Sequence, residues 1–258
     1  RQVFMEKIVC AKGLSKASRL IEGIFMPTPA AVLQASTLLS RGTGSHAGWG
    51  DLLVVDVGGA TTDVHSVGLG LPAKPGVVVQ GLPEPLAKRT VEGDLGVRVS
   101  VLSLLESVGV DALGGELNLT GEEVEKQARF RAQKPDVLPQ TSKEKLFDQA
   151  LGFHAVRLGV GRHVGRLEEL YTPSGLVWIQ EGKDLTQVRT VIGTGGILTN
   201  SSQSRQMLQG AQQDSDSPFE LRPENPNYFL DQDYLLASVG LLSTEYPHIA
   251  FRVLSNSL

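Results

Sequence analysis

Residues 51–67 read DLLVVDVGGATTDVHSV, and this stretch decides the fold. Its first half, Leu52 to Val57, is an almost continuous apolar run, which is typical of a strand that is buried on both faces. Two glycines end the run, and Thr62 to Val67 then alternates in the manner of a second strand. The stretch therefore predicts a tight β-hairpin whose first strand is buried.

A two-residue turn at Gly59 and Ala60 would fix the register of this hairpin. The cross-strand pairs would then be 58 with 61, 57 with 62 and 56 with 63. Asp56 and Asp63 would face each other on one side of the sheet, where two carboxylates repel unless a cation or solvent screens them. A hydrated Mg²⁺ would relieve this repulsion, because it keeps several waters and is held through one or two carboxylates and substrate phosphates. We therefore predict that Asp56 and Asp63 are the catalytic pair and hold magnesium through water.

The turn between the two aspartates has the composition of a phosphate clamp. Glycines have no β-carbon, so their amide groups can approach an anion closely, and the two threonines add hydroxyl donors. The predicted phosphate-binding residues are Gly58, Gly59, Ala60, Thr61 and Thr62. The alternative is a surface hairpin that uses its glycines only to turn, with both aspartates in solvent.

A second glycine cluster follows a short apolar strand in residues 190–198, TVIGTGGIL. Glycines at such a position let a flat ring or a ribose lie against the backbone. Taken alone, the motif favours a simple strand-to-helix turn, because it lacks the third glycine of the dinucleotide fingerprint. Its position after the hairpin motif favours a binding site.

The composition limits the classes of partner. The 258 residues suffice for one large domain or two small ones, and the net charge is -4. Lysine and arginine are spread along the chain, which argues against nucleic acid or a membrane surface as a partner. Cys10 is the only cysteine, so a disulfide framework within one chain is excluded. No apolar run approaches the roughly 18 residues of a membrane-spanning helix, and we expect a cytoplasmic protein.

Helices and strands are mixed along the whole chain, which predicts an α/β or α+β fold. Apolar spacing predicts helices over residues 30–39, 96–108, 121–134, 142–171, 202–212, 233–242 and 247–254, and strands over 52–57, 62–67, 77–80, 176–179 and 190–193. A helical pattern with small breaks also begins at Val3, residues 42–50 are predicted as a loop, and residues 213–227 as a polar loop. The helix over 142–171 contains four glycines, at 152, 159, 161 and 165, which we expect to allow close helix packing.

The order of these motifs resembles the superfamily of actin, sugar kinases and DnaK-type chaperones. Residues 27–31 look like its first connecting helix, 56–63 like its second phosphate loop, and 93–96 like the opening of its outer subdomain. GTGG at 193–196 resembles its adenosine motif, and residues 233–242 look like its second connecting helix, where two helices cross closely. The resemblance implies an actin-like (ribonuclease H-like) α/β lobe, with a mixed twisted sheet flanked by helices and a smaller helical subdomain inserted at about residues 93–172. It also implies that Gly193, Thr194, Gly195 and Gly196 bind adenosine.

Nearly the whole chain is similar to the MutL/GlmL family, the accessory proteins of adenosylcobalamin-dependent glutamate mutase. The similarity is carried by MPTPAAVLQAS (26–36), LLVVDVGGATTDVHSV (52–67), RTVEGDLGVR (89–98), VIGTGGILTN (191–200) and DYLLASVGLLSTEYPHIA (233–250). It implies an ATP-dependent reactivating chaperone that frees a mutase from damaged cobalamin. ATP or ADP and Mg²⁺ would be the cofactors, mutase subunits the partners, and the resemblance is compatible with an oligomer.

Two features depart from the superfamily pattern. An Asp-x-Gly phosphate loop should precede the first connecting helix, but only 26 residues stand before Pro27, and Met26 stands where the chaperones have the glutamate that orients the attacking water. We therefore expect residues 1–50 to be a remnant of the first lobe with the first connecting helix, 51–235 to be the second nucleotide-binding lobe, and 236–258 to be the second connecting helix and the C-terminal helix. The missing N-terminal lobe would be a further partner, and we do not expect this chain alone to hydrolyse ATP.

Two other functions remain open at the level of the sequence. A small-molecule kinase of the same superfamily would need an acceptor pocket and a catalytic base, and the sequence identifies neither. A non-catalytic actin-like scaffold would use the nucleotide only to switch its assembly.

Overall fold

The computed structural model describes residues 26–173 and 175–258, so the predicted helical pattern from Val3 and the single cysteine, Cys10, lie outside the described residues. The helices are α1 (Thr28–Arg41), α2 (Val101–Val108), α3 (Val110–Leu117), α4 (Gly121–Gln133), α5 (Ser142–His163), α6 (Gly196–Thr199), α7 (Ser204–Leu208), α8 (Leu235–Leu242) and α9 (Pro247–Ser257). The strands are β1 (Gly42–Thr43), β2 (His46–Ala47), β3 (Leu52–Val57), β4 (Thr62–Val67), β5 (Val77–Gln80), β6 (Ala87–Glu92), β7 (Arg166–Thr172), β8 (Gly175–Glu181), β9 (Thr190–Thr194) and β10 (Asn227–Leu230).

A five-stranded mixed sheet in the order β10-β9-β3-β4-β6 organises the fold. β9 runs parallel to both of its neighbours, whereas β4 runs antiparallel to β3 and β6. Alternate residues of β3 enter two separate apolar clusters: Leu53 and Val55 pack on the side of α5, and Leu52 and Val54 pack on the side of α1 and α8. Helices thus cover both faces, and the predicted α/β class with a mixed sheet flanked by helices is confirmed. The arrangement is consistent with an actin-like lobe.

The β3–β4 hairpin has the predicted register. Val57 pairs with Thr62 and Asp56 pairs with Asp63, and the Gly58 amide donates to the Thr61 carbonyl at 2.9 Å. The turn therefore lies at the two residues expected from the sequence.

The helix predicted over residues 142–171 is wrong in its second half. α5 ends at His163, and residues 166–172 instead form β7, which pairs antiparallel with β8. The change occurs at Gly165, whose amide donates to the Lys183 carbonyl at 2.7 Å. An added β-carbon there would lie 2.6 Å from the Glu181 carbonyl oxygen, so only glycine permits this approach of two backbone segments.

Further differences concern short elements. The predicted strands at 77–80 and 176–179 are confirmed, and with β7 they form a second sheet in the order β5-β8-β7. The central sheet gains two strands that were not predicted, β6 and β10, and the loop predicted over 42–50 contains the β1–β2 pair. The helix predicted from residue 96 begins at Val101, and the one predicted over 202–212 is a short α-helix followed by a 3₁₀ turn, Gln209–Ala211.

Two close helix contacts depend on glycine, as expected. On α5, an added β-carbon at Gly159 would lie 3.1 Å from Thr62 Cγ2 of the central sheet. On α8, a β-carbon at Gly240 would lie 2.6 Å from the carbonyl carbon of Ala31, so α1 and α8 cross with their backbones nearly in contact. None of the helices among the described residues combines the length and the apolar character needed to span a membrane.

Candidate functional site

The two glycine motifs meet at neighbouring strand ends. β3 and β9 are adjacent and parallel, and their register places Asp56 beside Thr194. Gly195 continues β9 with φ +96°, and an added β-carbon there would lie 2.8 Å from Asp56 Oδ1. Glycine is therefore required at 195 both by its backbone conformation and by the carboxylate next to it. Ligands of open α/β sheets bind beyond the carboxyl ends of parallel strands, which is where these motifs lie.

Three backbone carbonyl groups of the hairpin turn accept hydrogen bonds from a neighbouring segment, which fixes the turn from one side. The segment 97–100 donates to all three of them: Val97 N to Gly58 O at 3.1 Å, Arg98 N to Gly59 O at 2.9 Å, and Ser100 Oγ to Ala60 O at 2.7 Å. The amide groups of residues 59, 60 and 61 donate to no acceptor within the described residues. Three successive backbone donors in a rigid turn are an arrangement suited to an anion.

The two threonines of the motif differ in their surroundings. Thr62 is fully buried, and its hydroxyl donates to the Leu95 carbonyl at 2.8 Å. Thr61 is partly exposed at the turn, and its hydroxyl donates to Asp63 Oδ2 at 3.1 Å. In this geometry the Thr62 hydroxyl supports the 93–100 segment, whereas the Thr61 hydroxyl lies beside the carboxylate pair. The predicted contact of either threonine with phosphate stays a prediction.

Asp63 is engaged by an arginine that the sequence did not reveal. Arg89 of β6 places Nε 2.9 Å and Nη2 2.6 Å from Asp63 Oδ1. With Thr61 on the other oxygen, both oxygens of Asp63 have a protein donor. The sequence signal for this contact is weak, because it depends on β6 lying next to β4 and β6 was not predicted.

Asp56, in contrast to Asp63, lacks protein donors in the described part of the chain. Its carboxylate makes no hydrogen bond or ion pair with residues 26–173 or 175–258. Burial, followed by the charges of Asp63 and Asp231, raises the pKa of Asp56 to about 6, and Arg89 opposes this shift. A partly buried carboxylate without a donor is the kind of group that a cation or its bound water would stabilise.

A third carboxylate, Asp231, lies at the end of β10 and is 3% exposed. It accepts a hydrogen bond from Thr194 Oγ1 at 3.1 Å and from the amides of Leu235 and Leu236 at 2.7 and 3.2 Å. Asp231 thus binds the first two amides of α8 and ties that helix to the glycine turn. It stands three residues before Tyr234, the N-cap position of α8, so the usual sequence pattern of a helix cap does not reveal it.

Tyr234 lies beside the glycine turn, at the start of α8. It has φ +53°, which is uncommon for a residue with a side chain. Its hydroxyl lies 2.5 Å from Thr199 Oγ1 and 3.7 Å from the position of an added β-carbon on Gly196. The half-exposed ring therefore offers an aromatic surface at the edge of the predicted adenosine site.

The carboxylate pair fits a hydrated cation in part. Asp56 is available to accept from metal-bound water, whereas Oδ1 of Asp63 becomes available only if Arg89 releases it. No cluster of three or more histidine, cysteine, aspartate or glutamate side chains at metal-binding spacing occurs among the residues that the structure describes. The donor set therefore suits a magnesium ion that keeps its waters, and not a metal with several direct protein ligands.

The chain has clear relatives among known proteins. A family model described as MutL protein matches residues 1–258. A curated relative, Protein MutL of Clostridium tetanomorphum, is 47% identical over 258 residues, which are 100% of this chain and 56% of the relative. The chain thus spans about half the length of the curated relative that it matches.

Proposed function

The chain belongs to the MutL protein family, and we propose that it is the nucleotide-binding lobe of an ATP-dependent reactivating chaperone for an adenosylcobalamin-dependent mutase. One observation carries the nucleotide part of this proposal. The hairpin turn and the glycine turn, which are more than 130 residues apart in sequence, meet at Asp56, where Gly195 leaves room for the carboxylate.

Each part of this site has a role in the proposal. The free amide groups of residues 59–61 donate to the phosphates, and residues 193–196 allow adenosine to lie against the backbone. Asp56 and Asp63 accept from the waters of magnesium. When bound, the metal neutralises phosphate charge, and positioning and electrostatics do most of the work in such phosphoryl-transfer sites.

Hydrolysis by the whole protein would need more than this chain. The described residues supply one wall of the site, and a second wall is needed to exclude water and to complete the arrangement around the phosphates. Because the chain covers 56% of its curated relative, we place that second wall in the remaining part of the full-length protein.

The mutase part of the proposal rests on the likeness to the accessory proteins of glutamate mutase. The test uses glutamate mutase loaded with hydroxocobalamin, which cannot support turnover. The mutase is incubated with the full-length protein, Mg²⁺ and ATP, and the cobalamin released into the filtrate is measured by its absorbance.

We expect release that depends on ATP and is lost in Asp56→Asn. A matched variant, Asp51→Asn, changes an exposed aspartate at the opposite end of β3 and should retain release. Absence of ATP-dependent release would contradict the chaperone role. ATP-dependent labelling of a small molecule would instead indicate a kinase, and nucleotide-dependent sedimentation without release would indicate a scaffold.

A further inference from the structure

Arg89 lies on the same face of the central sheet as Asp56 and Asp63. In the β4–β6 ladder it stands opposite His65, two residues along β4 from Asp63. Side chains at that diagonal spacing are within reach of one another when one of them is long. Accordingly, Arg89 reaches along the sheet and donates two N–H groups to a single oxygen, Asp63 Oδ1.

The two carboxylates of the pair therefore have unequal surroundings. Asp63 has Arg89 on one oxygen and Thr61 on the other. Asp56, which faces it directly across the hairpin, has no hydrogen-bond donor among the described residues. The chain itself supplies a counter-ion for one member of the pair.

Arg89 and a hydrated cation would compete for Oδ1 of Asp63. Two N–H groups of Arg89 converge on Oδ1, so a metal-bound water cannot take that position while the guanidinium remains. The Arg89 side chain is 32% exposed, in contrast to 12% for Asp63. The guanidinium can therefore turn towards solvent, whereas Asp63 is fixed by the hairpin.

We propose that Arg89 is a positioning residue, a tethered counter-ion that holds Asp63 until hydrated Mg²⁺ displaces it. This inference rests on the proposed function, because it takes Asp56 and Asp63 as the metal-binding pair. The consequence is that free Mg²⁺ binds poorly to the pair. The metal enters together with the nucleotide phosphates, whose charge compensates for the loss of the Arg89 contact.

The test is thermal unfolding of the full-length protein without nucleotide. Each variant is measured in EDTA, in about 10 mM Mg²⁺, and in NaCl of the same ionic strength, which controls for screening. Arg89→Met removes the guanidinium and keeps most of the side-chain length. Arg89→Lys keeps a positive charge at the same position.

The matched control is Lys88→Met. Lys88 neighbours Arg89 on β6 and pairs with a single carboxylate, Glu84, at 2.7 Å. Lys88→Met therefore removes an ion pair made by the same strand, but it does not leave two opposed carboxylates without a counter-ion.

We expect Arg89→Met to have a lowered Tm and to regain roughly 3–10 °C specifically in Mg²⁺, as for a ligand present well above its Kd. The wild-type protein, Arg89→Lys and Lys88→Met should change by less than about 1 °C beyond the NaCl control. If Arg89→Met cannot be obtained folded, Arg89→Gln takes its place with the same expectation. No Mg²⁺-specific gain in the variant lacking the guanidinium, or an equal gain in Lys88→Met, would overturn the inference.

Calorimetry with Mg·ADP on the same proteins separates this inference from the proposed function. If the wild-type protein binds Mg·ADP through Asp56 but Arg89→Met gains no Mg²⁺ response, the inference fails and the proposed function stands. If Arg89→Met gains the response but no variant binds nucleotide, the competition between Arg89 and metal is supported and the proposed function fails.

Discussion

Replacing Gly240 with alanine tests the contact between α1 and α8. An ideal β-carbon at this position would lie 2.6 Å from the carbonyl carbon of Ala31 and 3.0 Å from its Cα. Both atoms belong to the backbone, so no side-chain rotation can relieve the overlap and the two helices have to separate. Overpacking of this kind costs about 3 kcal/mol. In a cooperative unit of about this size that loss lowers the Tm by roughly 6 °C, and in a larger one by less.

The assay is thermal and urea unfolding of the full-length protein, followed by circular dichroism. Gly115→Ala is the matched control, because Gly115 is an exposed helical glycine with no atom within 4 Å of an added β-carbon. Alanine is the better helix former by up to about 1 kcal/mol, so this variant should be unchanged or slightly more stable. Equal stability of the Gly240→Ala and Gly115→Ala proteins would refute the close crossing of α1 and α8.

Two further predictions concern buried charge. Asp148→Asn should lower the free energy of unfolding by about 3–5 kcal/mol, because it leaves two largely buried guanidinium groups without their shared counter-ion, whereas the exposed Asp111→Asn should cost less than about 1 kcal/mol. Burial lowers the pKa of His65 to about 4 and that of His163 well below 6.5. The unfolded state therefore binds more protons below pH 6.5, and the free energy of unfolding should fall as the pH is lowered from 6.5 towards 4. The raised pKa of Asp56 acts in the opposite direction between pH 3.8 and 6 but offsets only one of the two histidines. Urea unfolding at pH 7 and pH 5 that gave equal stabilities would contradict neutral burial of the histidines.

The hairpin could be predicted because its determinants are local. Leu52 to Val57 is apolar at every position except Asp56, and the glycine pair marks where the chain must turn. Once the turn was set at residues 59 and 60, the pairing of Asp56 with Asp63 followed from the two-residue period of a strand.

The elements that were missed depend on contacts distant in sequence. Leu167 and Leu170 continue the helical spacing of α5, yet they lie in β7, because that segment finds its hydrogen-bond partners in β8. β6 and β10 are the edge strands of the central sheet. β6 bears mostly polar residues, and β10 has only four residues, so neither sequence carries the apolar signal of a buried strand. Both strands form because β4 and β9 each present an edge with unpaired backbone N–H and C=O groups, which β6 and β10 pair with.

The residues of the candidate site also divide into those with local sequence signals and those that depend on contacts distant in sequence. The Asp56 to Asp63 loop and the 193–196 turn were recognised from glycine placement within short stretches, and the structure brings them together. Arg89 and Asp231 escape such local patterns, because Arg89 lies on β6 and Asp231 directly after β10, neither strand is predicted, and both residues contact the site across neighbouring strands. Tyr234 was missed because its unusual backbone conformation leaves no mark in the sequence.

The central claim is that the β3–β4 hairpin and the 193–196 turn form one nucleotide site. Titration calorimetry of the full-length protein with ADP, in Mg²⁺ and in EDTA, tests it most directly. We predict that Asp56→Asn weakens binding of Mg·ADP by at least about tenfold, or roughly 1.4 kcal/mol, and that Asp51→Asn binds as the wild-type protein does. The difference between Asp56→Asn and wild type should vanish in EDTA. Equal affinity of the Asp56→Asn and wild-type proteins for Mg·ADP would contradict the account.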